Sequence, residues 1–460
     1  MAKRKPISPE SPPAQPLAVI RPPLRVLVLY ALGQLGWSLA SFSVANLLIY
    51  FYMPPETGQP VFPTFIHQGA VLGVLTLIGI LSAAGRAFDA FIDPIVANWS
   101  DRSNARMGKR RWFLAFGALP FALSSFLVFL PAGAGESAAN YMWLALCLAV
   151  YYFFFAFYVI PYTALIAELG HTAADRMLIS MLLSVTWALG FVVGNSAYAL
   201  QSYFESAGMT PVAAFQTALL LVHGVALLFL LLPAIFLNEK RYARQRVSDH
   251  GLRHALVAVL GNQNFRQFLV SDLLYWLALT FIQLGIGFYT TLLLELDKSY
   301  AFVFSLVSFV ASFFFYAPVN LLAAKIGKHR LILTAFLLFA VVFCTVSAIR
   351  IIPVPRLWLL YGLALAAAFP LAVFGIIPNA LIGDAVEQEE QTSGRQLAGM
   401  FYGVRAFVMK VGISLANLLF PSLLLLGKST ENPAGVQATA VAAIVFCLAG
   451  WQVFRGVKTL

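Results

Sequence analysis

Twelve long apolar runs dominate the sequence, and short segments rich in Pro, Gly or charged residues separate them. An α-helix needs roughly 20 apolar residues to cross about 30 Å of hydrocarbon, and each run is long enough. The chain is 60% hydrophobic and 11% charged, whereas soluble domains carry about 25% charged residues. These features predict an all-α polytopic membrane protein. The predicted spans lie near 25–52, 67–99, 112–131, 140–168, 177–202, 211–237, 265–294, 300–324, 330–350, 356–386, 397–427 and 435–454.

The distribution of Lys and Arg predicts how the spans are oriented. With the N-terminus inside, most of the 30 Lys and Arg residues fall in inside segments, and the outside loops hold only Lys298, Arg350, Arg356 and Lys428. Basic residues accumulate in cytoplasmic loops. Both termini are therefore predicted to be cytoplasmic, with the protein spanning the lipid bilayer of the cell (inner) membrane. The net charge of +11 belongs to short loops, so we expect no nucleic-acid partner.

Three landmarks recur along the chain at a nearly constant spacing. Any one of these echoes is weak, but the three together favour duplication of a six-helix unit, which is one of the transporter architectures. The paired segments are 108–111 with 327–330, 160–168 with 377–384, and Arg176 with Arg395.

The same landmarks divide the chain into four predicted parts. A disordered cytosolic tail covers 1–24, where Pro and Ser are frequent and no apolar signal core is present. A six-helix bundle covers 25–237, a basic cytoplasmic linker covers 238–264, and a second six-helix bundle covers 265–460.

The second apolar run contains three charges, in the stretch "GRAFDAFIDP". Arg86, Asp89 and Asp93 are spaced three and four residues apart, so all three project from one helix face. A charge at the bilayer centre costs about 2.5–3.5 kcal/mol on insertion scales, and two carboxylates one turn apart repel each other. Such a pair tends to take up a proton or a cation, which predicts a Na⁺ or H⁺ site at Asp89 and Asp93. The alternative is a simple pair of Arg86 with Asp89, with Asp93 near the cytoplasmic end.

Two basic residues are candidates for the counter-charge of this site. Lys410 lies about fourteen residues into the eleventh run, too deep for its side chain to reach water easily at a rise of about 1.5 Å per residue. The formal charges of Asp89, Asp93 and Lys410 sum to −1, and one Na⁺ or H⁺ makes the sum zero. Arg86 is the second candidate and is left out of this sum, because another group can compensate it.

The motifs resemble those of the glycoside–pentoside–hexuronide:cation symporter family, within the major facilitator superfamily. The resemblance covers essentially all twelve spans and is carried by "GRAFDAFIDPIVANWSDRSNARMGKRR", "IPYTALIAELGHTAADR" and "IGDAVEQEEQTSGRQLAGMFYGVRAFVMK". It implies twelve transmembrane helices in two pseudo-symmetric six-helix halves, alternating access around a central cavity, and coupling to Na⁺, H⁺ or sometimes Li⁺. It also implies that Asp89 and Asp93 bind the cation and that Lys410 faces them. We expect no cofactor beyond the coupling ion, and function as a monomer.

Four positions depart from the sugar-binding pattern of the family member melibiose permease. Ser38 and Val159 replace aspartates, Thr163 replaces a ring-stacking aromatic residue, and Leu183 replaces an arginine. By family default the small-molecule substrate is a sugar or glycoside held by other groups. The alternative is an amphipathic or lipid-like substrate such as a lysophospholipid, which the animal sodium-dependent lysophosphatidylcholine symporter of this family carries. The candidate cavity residues are Gln34, Trp37, Ser38, Asn46, Tyr158, Val159, Tyr162, Thr163, Gln283 and Arg405.

A basic loop and acidic helix ends predict a cytoplasmic gate. The loop "DRSNARMGKRR" joins the second and third spans, and acids end the fourth and tenth spans on the same side. Docking of the loop on these acids would close the inner face. In the alternative, the cations only set topology and contact anionic headgroups. The candidate gate residues are Asp101, Arg102, Arg106, Lys109, Arg110, Arg111, Glu168, Asp384 and Glu387.

Other classes of membrane protein fit the sequence less well. No nucleophile–base or metal-ligand constellation typical of an enzyme is visible, and no "GxxxxGK[ST]" phosphate loop indicates a primary pump. A channel would not need a duplicated half or a buried Asp, Asp and Lys set. The three cysteines lie in apolar runs and are expected to be free thiols.

Overall fold

The computed structural model describes residues 20–243, 261–393 and 398–457. The predicted tail over 1–19, most of the linker and Arg395 lie outside the described residues. The helices are α1 (Leu24–Tyr52), α2 (Leu77–Asp101), α3 (Arg111–Leu127), α4 (Ala138–Leu169), α5 (Ala173–Ser206), α6 (Pro211–Phe236), α7 (Glu239–Tyr242), α8 (Gln263–Phe288), α9 (Ser299–Ile326), α10 (Lys328–Ser347), α11 (Arg356–Ser393), α12 (Ala398–Leu424) and α13 (Ala434–Arg455), with a π-helical turn at Tyr289–Leu293.

Twelve long helices occupy the positions of the twelve predicted spans. Ten of them are long and apolar enough to cross a membrane, which confirms the all-α polytopic prediction. The other two are α3, which has 17 residues, and α2, which carries the three charges noted above. The three cysteines are free, as expected.

The start of the second span was predicted wrongly. The sequence indicated a span from residue 67, but α2 begins at Leu77. The intervening chain turns at Gly73, whose φ of 69° is a left-handed conformation that glycine adopts without steric cost. Two short antiparallel hairpins precede α2, formed by β1 (Glu56–Thr57), β2 (Gln59–Pro60), β3 (Ala70–Leu72) and β4 (Leu75–Thr76).

The first six long helices, α1–α6, form the N-terminal half, and α8–α13 form the C-terminal half. In the N-terminal half α1 packs on α5 and α6, and α4 packs on α2 and α3. The C-terminal half repeats this arrangement, since α8 packs on α12 and α13, and α11 packs on α9 and α10. The halves meet through α2 against α12 and α5 against α9, so a residue on α2 or α5 can contact the opposite half.

The two ends of the bundle differ. We call the end with the α2–α3 turn the basic face, and the end with the strands β1–β4 the hairpin face. At the hairpin face Lys428 Nζ lies 2.7 Å from Glu56 Oε1, and Lys298 Nζ lies 2.5 Å from Glu205 Oε2. Both ion pairs join the N-terminal half to the C-terminal half. The seam between the halves is therefore closed at the hairpin face.

Glycines shape the two echoing turns of the basic face. Gly108 and Gly327 have φ values of 118° and 87°, in the region that L side chains rarely adopt. Glu239 packs against Gly108 and accepts hydrogen bonds from the backbone N–H groups of Arg110 (2.9 Å) and Arg111 (2.8 Å). Burial raises the pKa of the Glu239 carboxyl, and the two N–H groups counter that shift. The segment after α6 thus caps the N-terminus of α3.

We predict that Gly108→Ala destabilises the protein by about 1–3 kcal/mol, because alanine is strained at this φ. Its Cβ would also lie 2.4 Å from Glu239 Oε2. The measurement is the melting temperature of the purified protein in detergent. The control is Gly133→Ala, because a Cβ at Gly133 meets nothing within 4 Å. Equal melting temperatures for the two variants would contradict the role of this turn.

Candidate functional site

Charges from both halves meet where α2 crosses α12. Lys410 Nζ lies 2.8 Å from Asp89 Oδ2, at an angle that does not make a hydrogen bond, and donates a hydrogen bond to Asp93 Oδ2. Asp89 is 0% exposed, and the Lys410 side chain is 13% exposed. The helical spacing that put both carboxylates on one face thus directs them at a single ammonium on the opposite half.

Arg86 belongs to the same cluster. Its guanidinium lies 3.7 Å from Asp89 Oδ2 and 5.2 Å from the centre of the Tyr152 ring on α4, in a cation–π contact. Tyr152 approaches this closely because residue 85 is glycine, where a Cβ would lie 2.4 Å from the ring. The charge sum written from the sequence omitted Arg86 and must include it. Two acids and two bases then cancel without a bound cation.

Several oxygens at the site have no hydrogen-bond partner. They are both oxygens of Asp89, Oδ1 of Asp93, the Tyr151 hydroxyl and the Ser82 hydroxyl. Hard cations such as Na⁺ are bound by oxygen ligands of these kinds. In the described part of the chain no group of three or more His, Cys, Asp or Glu side chains could hold a metal ion. A cation here would therefore use two carboxylates together with neutral oxygens.

Sequence reasoning missed Ser82, Tyr151 and Tyr152. Ser82 precedes Arg86 by four residues and so shares its helix face, a signal that was available. The Tyr151 ring contacts the Tyr152 ring at 4.8 Å between centroids, and this places it beside Arg86. Nothing in the run of aromatic residues from 151 to 155 distinguishes these two from lipid-facing or core residues.

The predicted cavity tyrosines are engaged in helix packing. Tyr158 donates to the backbone carbonyl of Leu230 on α6 at 2.8 Å. Tyr162 and Tyr30 stack at 4.4 Å, and each hydroxyl donates at 2.6 Å to the backbone carbonyl of the other residue. Tyr158 and Tyr162, the two predicted cavity residues, are 0% exposed. Their hydroxyls are therefore committed to neighbouring helices and are not offered to a solute in this conformation.

The remaining cavity candidates on α1 and α4 are spread over different surroundings. Gln34 donates to Ser38 at 3.3 Å, and Ser38 is seated against Gly190, where a Cβ would clash at 2.3 Å. Trp37 lies edge-on to a phenylalanine of α4 and its indole nitrogen is unpaired. Asn46 and Val159 are buried, whereas Thr163 is exposed and its hydroxyl bonds within its own helix.

Arg405 links three helices of the C-terminal half. It donates to both carboxylate oxygens of Asp272 on α8, at 2.9 and 3.1 Å, and to Asn379 Oδ1 on α11 at 2.7 Å. Arg405 thus balances the charge of the Asp272 carboxylate, whose side chain is 2% exposed. This bidentate pair neutralises the one predicted cavity residue with a positive charge.

At the basic face, the predicted gate residues of the N-terminal half pair with one another. Arg110 contacts Glu168 at 3.1 Å and also bonds Asp101, while Lys109 lies 3.7 Å from Glu168. Arg111 donates to backbone carbonyls at the end of α6. Arg102 and Arg106 are exposed.

The acids of the C-terminal half have partners of their own. Lys328 Nζ lies 2.6 Å from Asp384 Oδ2, and Glu387 accepts a hydrogen bond from Gln391. In these contacts the basic loop of the N-terminal half is docked on Glu168 rather than on the acids of α11. Docking across the seam stays a prediction for a conformation that is closed at the basic face.

Comparisons with known proteins fit this arrangement. The chain matches the family described as MFS/sugar transport protein over residues 29–454. It is 25% identical over 448 residues to the uncharacterized symporter YnaJ of Bacillus subtilis (strain 168), covering 91% of this chain and 88% of that protein. It is 23% identical over 440 residues to the putative glycoside/cation symporter YagG of Escherichia coli (strain K12), covering 93% and 88%.

A solved structure shares the fold. A mutant of the nucleoside transporter NupG superposes with a TM-score of 0.68 at 12% sequence identity, covering 95% of this chain and 99% of that chain. At this identity the likeness concerns the fold alone. Together with the family match, it confirms the predicted fold class.

We predict that Arg405→Gln destabilises the protein by about 3–5 kcal/mol, because it leaves the carboxylate of Asp272 buried without its partner. That side chain is 2% exposed. The matched control is Arg350→Gln, which removes the more exposed pair with Glu295 and should cost about 0–1 kcal/mol. The double variant Arg405→Gln, Asp272→Asn should recover part of the loss. Similar melting temperatures for Arg405→Gln and Arg350→Gln would contradict this reading.

Proposed function

We propose, because the chain belongs to the MFS/sugar transport protein family, that it is a cation-coupled secondary symporter of a small sugar or glycoside. This family comprises transporters and is that of the glycoside–pentoside–hexuronide:cation symporters, as the sequence motifs predicted. The chain is therefore a membrane transporter and not an enzyme. The coupling ion would be Na⁺ or H⁺, bound at Asp89 and Asp93, and transport would proceed by alternating access with both termini in the cytoplasm.

The observation that carries the proposal is the contact of Lys410 with both carboxylates. Lys410 is on α12 and the carboxylates are on α2, so the ammonium bridges the two halves. It occupies carboxylate oxygens that a cation would need. A Na⁺ ion added to the neutral cluster would create an uncompensated buried charge, unless Lys410 moved away.

Cation binding would in this way change a contact between the halves. A cation that replaces Lys410 between Asp89 and Asp93 keeps the carboxylates neutralised within α2 and frees the ammonium of α12. The seam loses one ion pair, and the free-energy difference between its open and closed arrangements changes by the contribution of that pair. A proton on one carboxylate would weaken the same contact, so either ion fits the geometry.

A neutral solute fits the C-terminal half better than an anion. The guanidinium of Arg405 donates hydrogen bonds to the Asp272 carboxylate and to Asn379 Oδ1. Because Asp272 already neutralises its charge, Arg405 offers little attraction to a substrate carboxylate. The relative YagG is named a putative glycoside/cation symporter, which favours a sugar or glycoside for this chain.

A lipid-like substrate is the second candidate. The sugar-binding positions of melibiose permease are small or apolar here, and a lysophospholipid would tolerate that. An apolar groove of about 430 Å³ between α9, α10 and α11, lined by residues such as Phe315, Trp358 and Phe369, is large enough for part of an acyl chain. Counterflow with lysophosphatidylcholine against a panel of glycosides decides between the two candidates.

We predict that Na⁺, Li⁺ or a lower pH raises the melting temperature of the purified wild-type protein relative to choline at the same ionic strength. A ligand at 100 times its Kd stabilises the folded state by about 2.7 kcal/mol. Asp93→Asn should remove most of this dependence, because it removes one carboxylate of the site. In proteoliposomes the wild type should also show counterflow, which channels and sensors do not.

The control for this experiment is Glu136→Gln, which removes an exposed carboxylate at the hairpin face and should keep the wild-type response to cations. An identical cation and pH dependence in wild type and Asp93→Asn would rule out Asp93 as part of the coupling site. Absence of counterflow with every solute tested would argue against a carrier.

The gate at the basic face generates a further prediction. The double variant Asp384→Asn, Glu387→Gln should shift the population toward the form that is open at the basic face, because it removes acids on which the basic loop would dock. Exchange rates in proteoliposomes and the inward-to-outward ratio report this shift. The control Glu136→Gln changes an exposed acid at the opposite end, whose partner His67 lies in the same half. Wild-type exchange and populations in the double variant would refute the gate.

A further inference from the structure

One face of α5 runs along the closed part of the seam. At its middle Phe191 contacts Phe309 of α9, with 4.3 Å between ring centroids, and at its end Glu205 pairs with Lys298. Between these two contacts lie Asn195, Tyr198 and Gln201, and all three are 0% exposed. We call these three residues the α5 ladder.

Each residue of the α5 ladder has a polar atom without a partner. The unpaired atoms are Oδ1 of Asn195, the hydroxyl of Tyr198 and Oε1 of Gln201. Buried polar groups in proteins are nearly always hydrogen-bonded, and an unpaired one costs free energy. Three consecutive exceptions on one helix face call for a physical explanation, because ordinary packing would select apolar side chains there.

The surroundings of Tyr198 show why its hydroxyl stays unpaired. It points at Gly287 of α8 in the opposite half, where a Cβ would lie 2.7 Å from the hydroxyl oxygen. The carbonyl of Gly287 already accepts a hydrogen bond from Thr291 at 2.8 Å. The missing Cβ of the glycine makes room for the hydroxyl, which has no hydrogen-bond partner among the described residues. Gln283, one helical turn before Gly287, is also buried and lies on the same face of α8.

The α5 ladder is separate from the cation site. It lies on α5, whereas Asp89, Asp93 and Lys410 lie on α2 and α12, and these helix pairs form different contacts of the seam. Its environment would change when the hairpin face opens, because α5 and α8 belong to different halves. The three polar atoms would then line the gap between the halves.

We propose that the α5 ladder is a solute-binding surface that recognises the hydroxyl groups of a sugar or glycoside when the hairpin face is open. This inference rests on the proposed function, because it needs the halves to separate. It assigns a binding role to three residues that neither the sequence motifs nor the family likeness singled out.

The chemistry of the free atoms selects hydroxyl groups. The amide nitrogen of Asn195 donates to the Phe191 carbonyl, and that of Gln201 donates to Glu205. Each amide thus keeps one N–H donor beside its carbonyl oxygen, which only accepts, and the Tyr198 phenol donates or accepts. A hydroxyl group supplies the donor that the carbonyl oxygens need. An ionised phosphate or carboxylate has no donor to offer the two carbonyl oxygens, whereas a sugar hydroxyl both donates and accepts.

The test compares Tyr198→Phe, Asn195→Leu and wild type, purified in a detergent without a sugar headgroup. The probes are D-xylose, lactose, methyl β-D-glucoside and lysophosphatidylcholine, and the readout is the melting temperature as a function of probe concentration. Tyr198→Phe should melt at or above the wild-type temperature without probe, because it removes an unpaired buried hydroxyl and keeps the ring. Its Kd for the glycoside probe that binds wild type best should rise about three- to tenfold, and Asn195→Leu should weaken binding similarly.

The matched control is Tyr203→Phe, on the same helix but at a side chain that is 66% exposed. It should change neither the melting temperature without probe nor the Kd for the probe. Binding within twofold of wild type in both ladder variants would overturn the inference. A lower melting temperature together with weaker binding in both variants would assign the ladder to packing and also overturn it, as would a wild type that no hydroxylated probe stabilises. The change in melting temperature on adding Na⁺ to the same samples separates the ladder proposal from the proposed cation site. An intact response with unchanged probe binding removes only the ladder, and a missing response in wild type counts against the coupling site.

Discussion

The cost of burying a charge in the membrane governs the arrangement of the two halves. Asp89 is fully buried on α2, and an isolated charge there would cost several kcal/mol. Its compensation comes from Arg86 on the same helix and from Lys410 on the opposite half. One of these partners moves with α2 and the other with α12. The contact between the halves is consequently an electrostatic one that a small cation or a proton can alter.

The closed hairpin face and the paired basic loop belong to the same conformation. Ion pairs such as Glu56 with Lys428 hold the hairpin ends of the two halves together. At the basic face Arg110 is held by Glu168 of its own half, so the described loop contacts do not tie the halves there. The hairpin-face pairs, whose acids are partly exposed, contribute about 0–1 kcal/mol each. A difference of a few such contacts is of the size that a bound ion and solute can reverse.

The sequence predicted the fold and the shared face of the charged residues on α2, because both depend on patterns within single helices. Apolar length predicted the spans, and the three- and four-residue spacing predicted the shared face of Arg86, Asp89 and Asp93. The partners of Arg405 and the stacking of Tyr152 were not predictable, since they depend on which helix packs beside which. The start of α2 was missed because the turn at Gly73 is set locally and leaves hydropathy almost unchanged.

The α5 ladder and the cation cluster are two forms of the same constraint. In each, polar atoms are buried at the seam without a full set of hydrogen bonds, and in each we propose that a ligand of the open or reorganised seam supplies the missing partner. The cluster balances its charges internally through Arg86 and Lys410, so a cation would have to enter by exchange. The ladder has no internal substitute, because its two amide oxygens and the Tyr198 hydroxyl have no partner among the described residues. Solute binding there would add hydrogen bonds that the closed seam lacks, whereas cation binding would replace one set of ionic contacts by another. The solute would then favour the form open at the hairpin face, and the ion would adjust how readily that form closes.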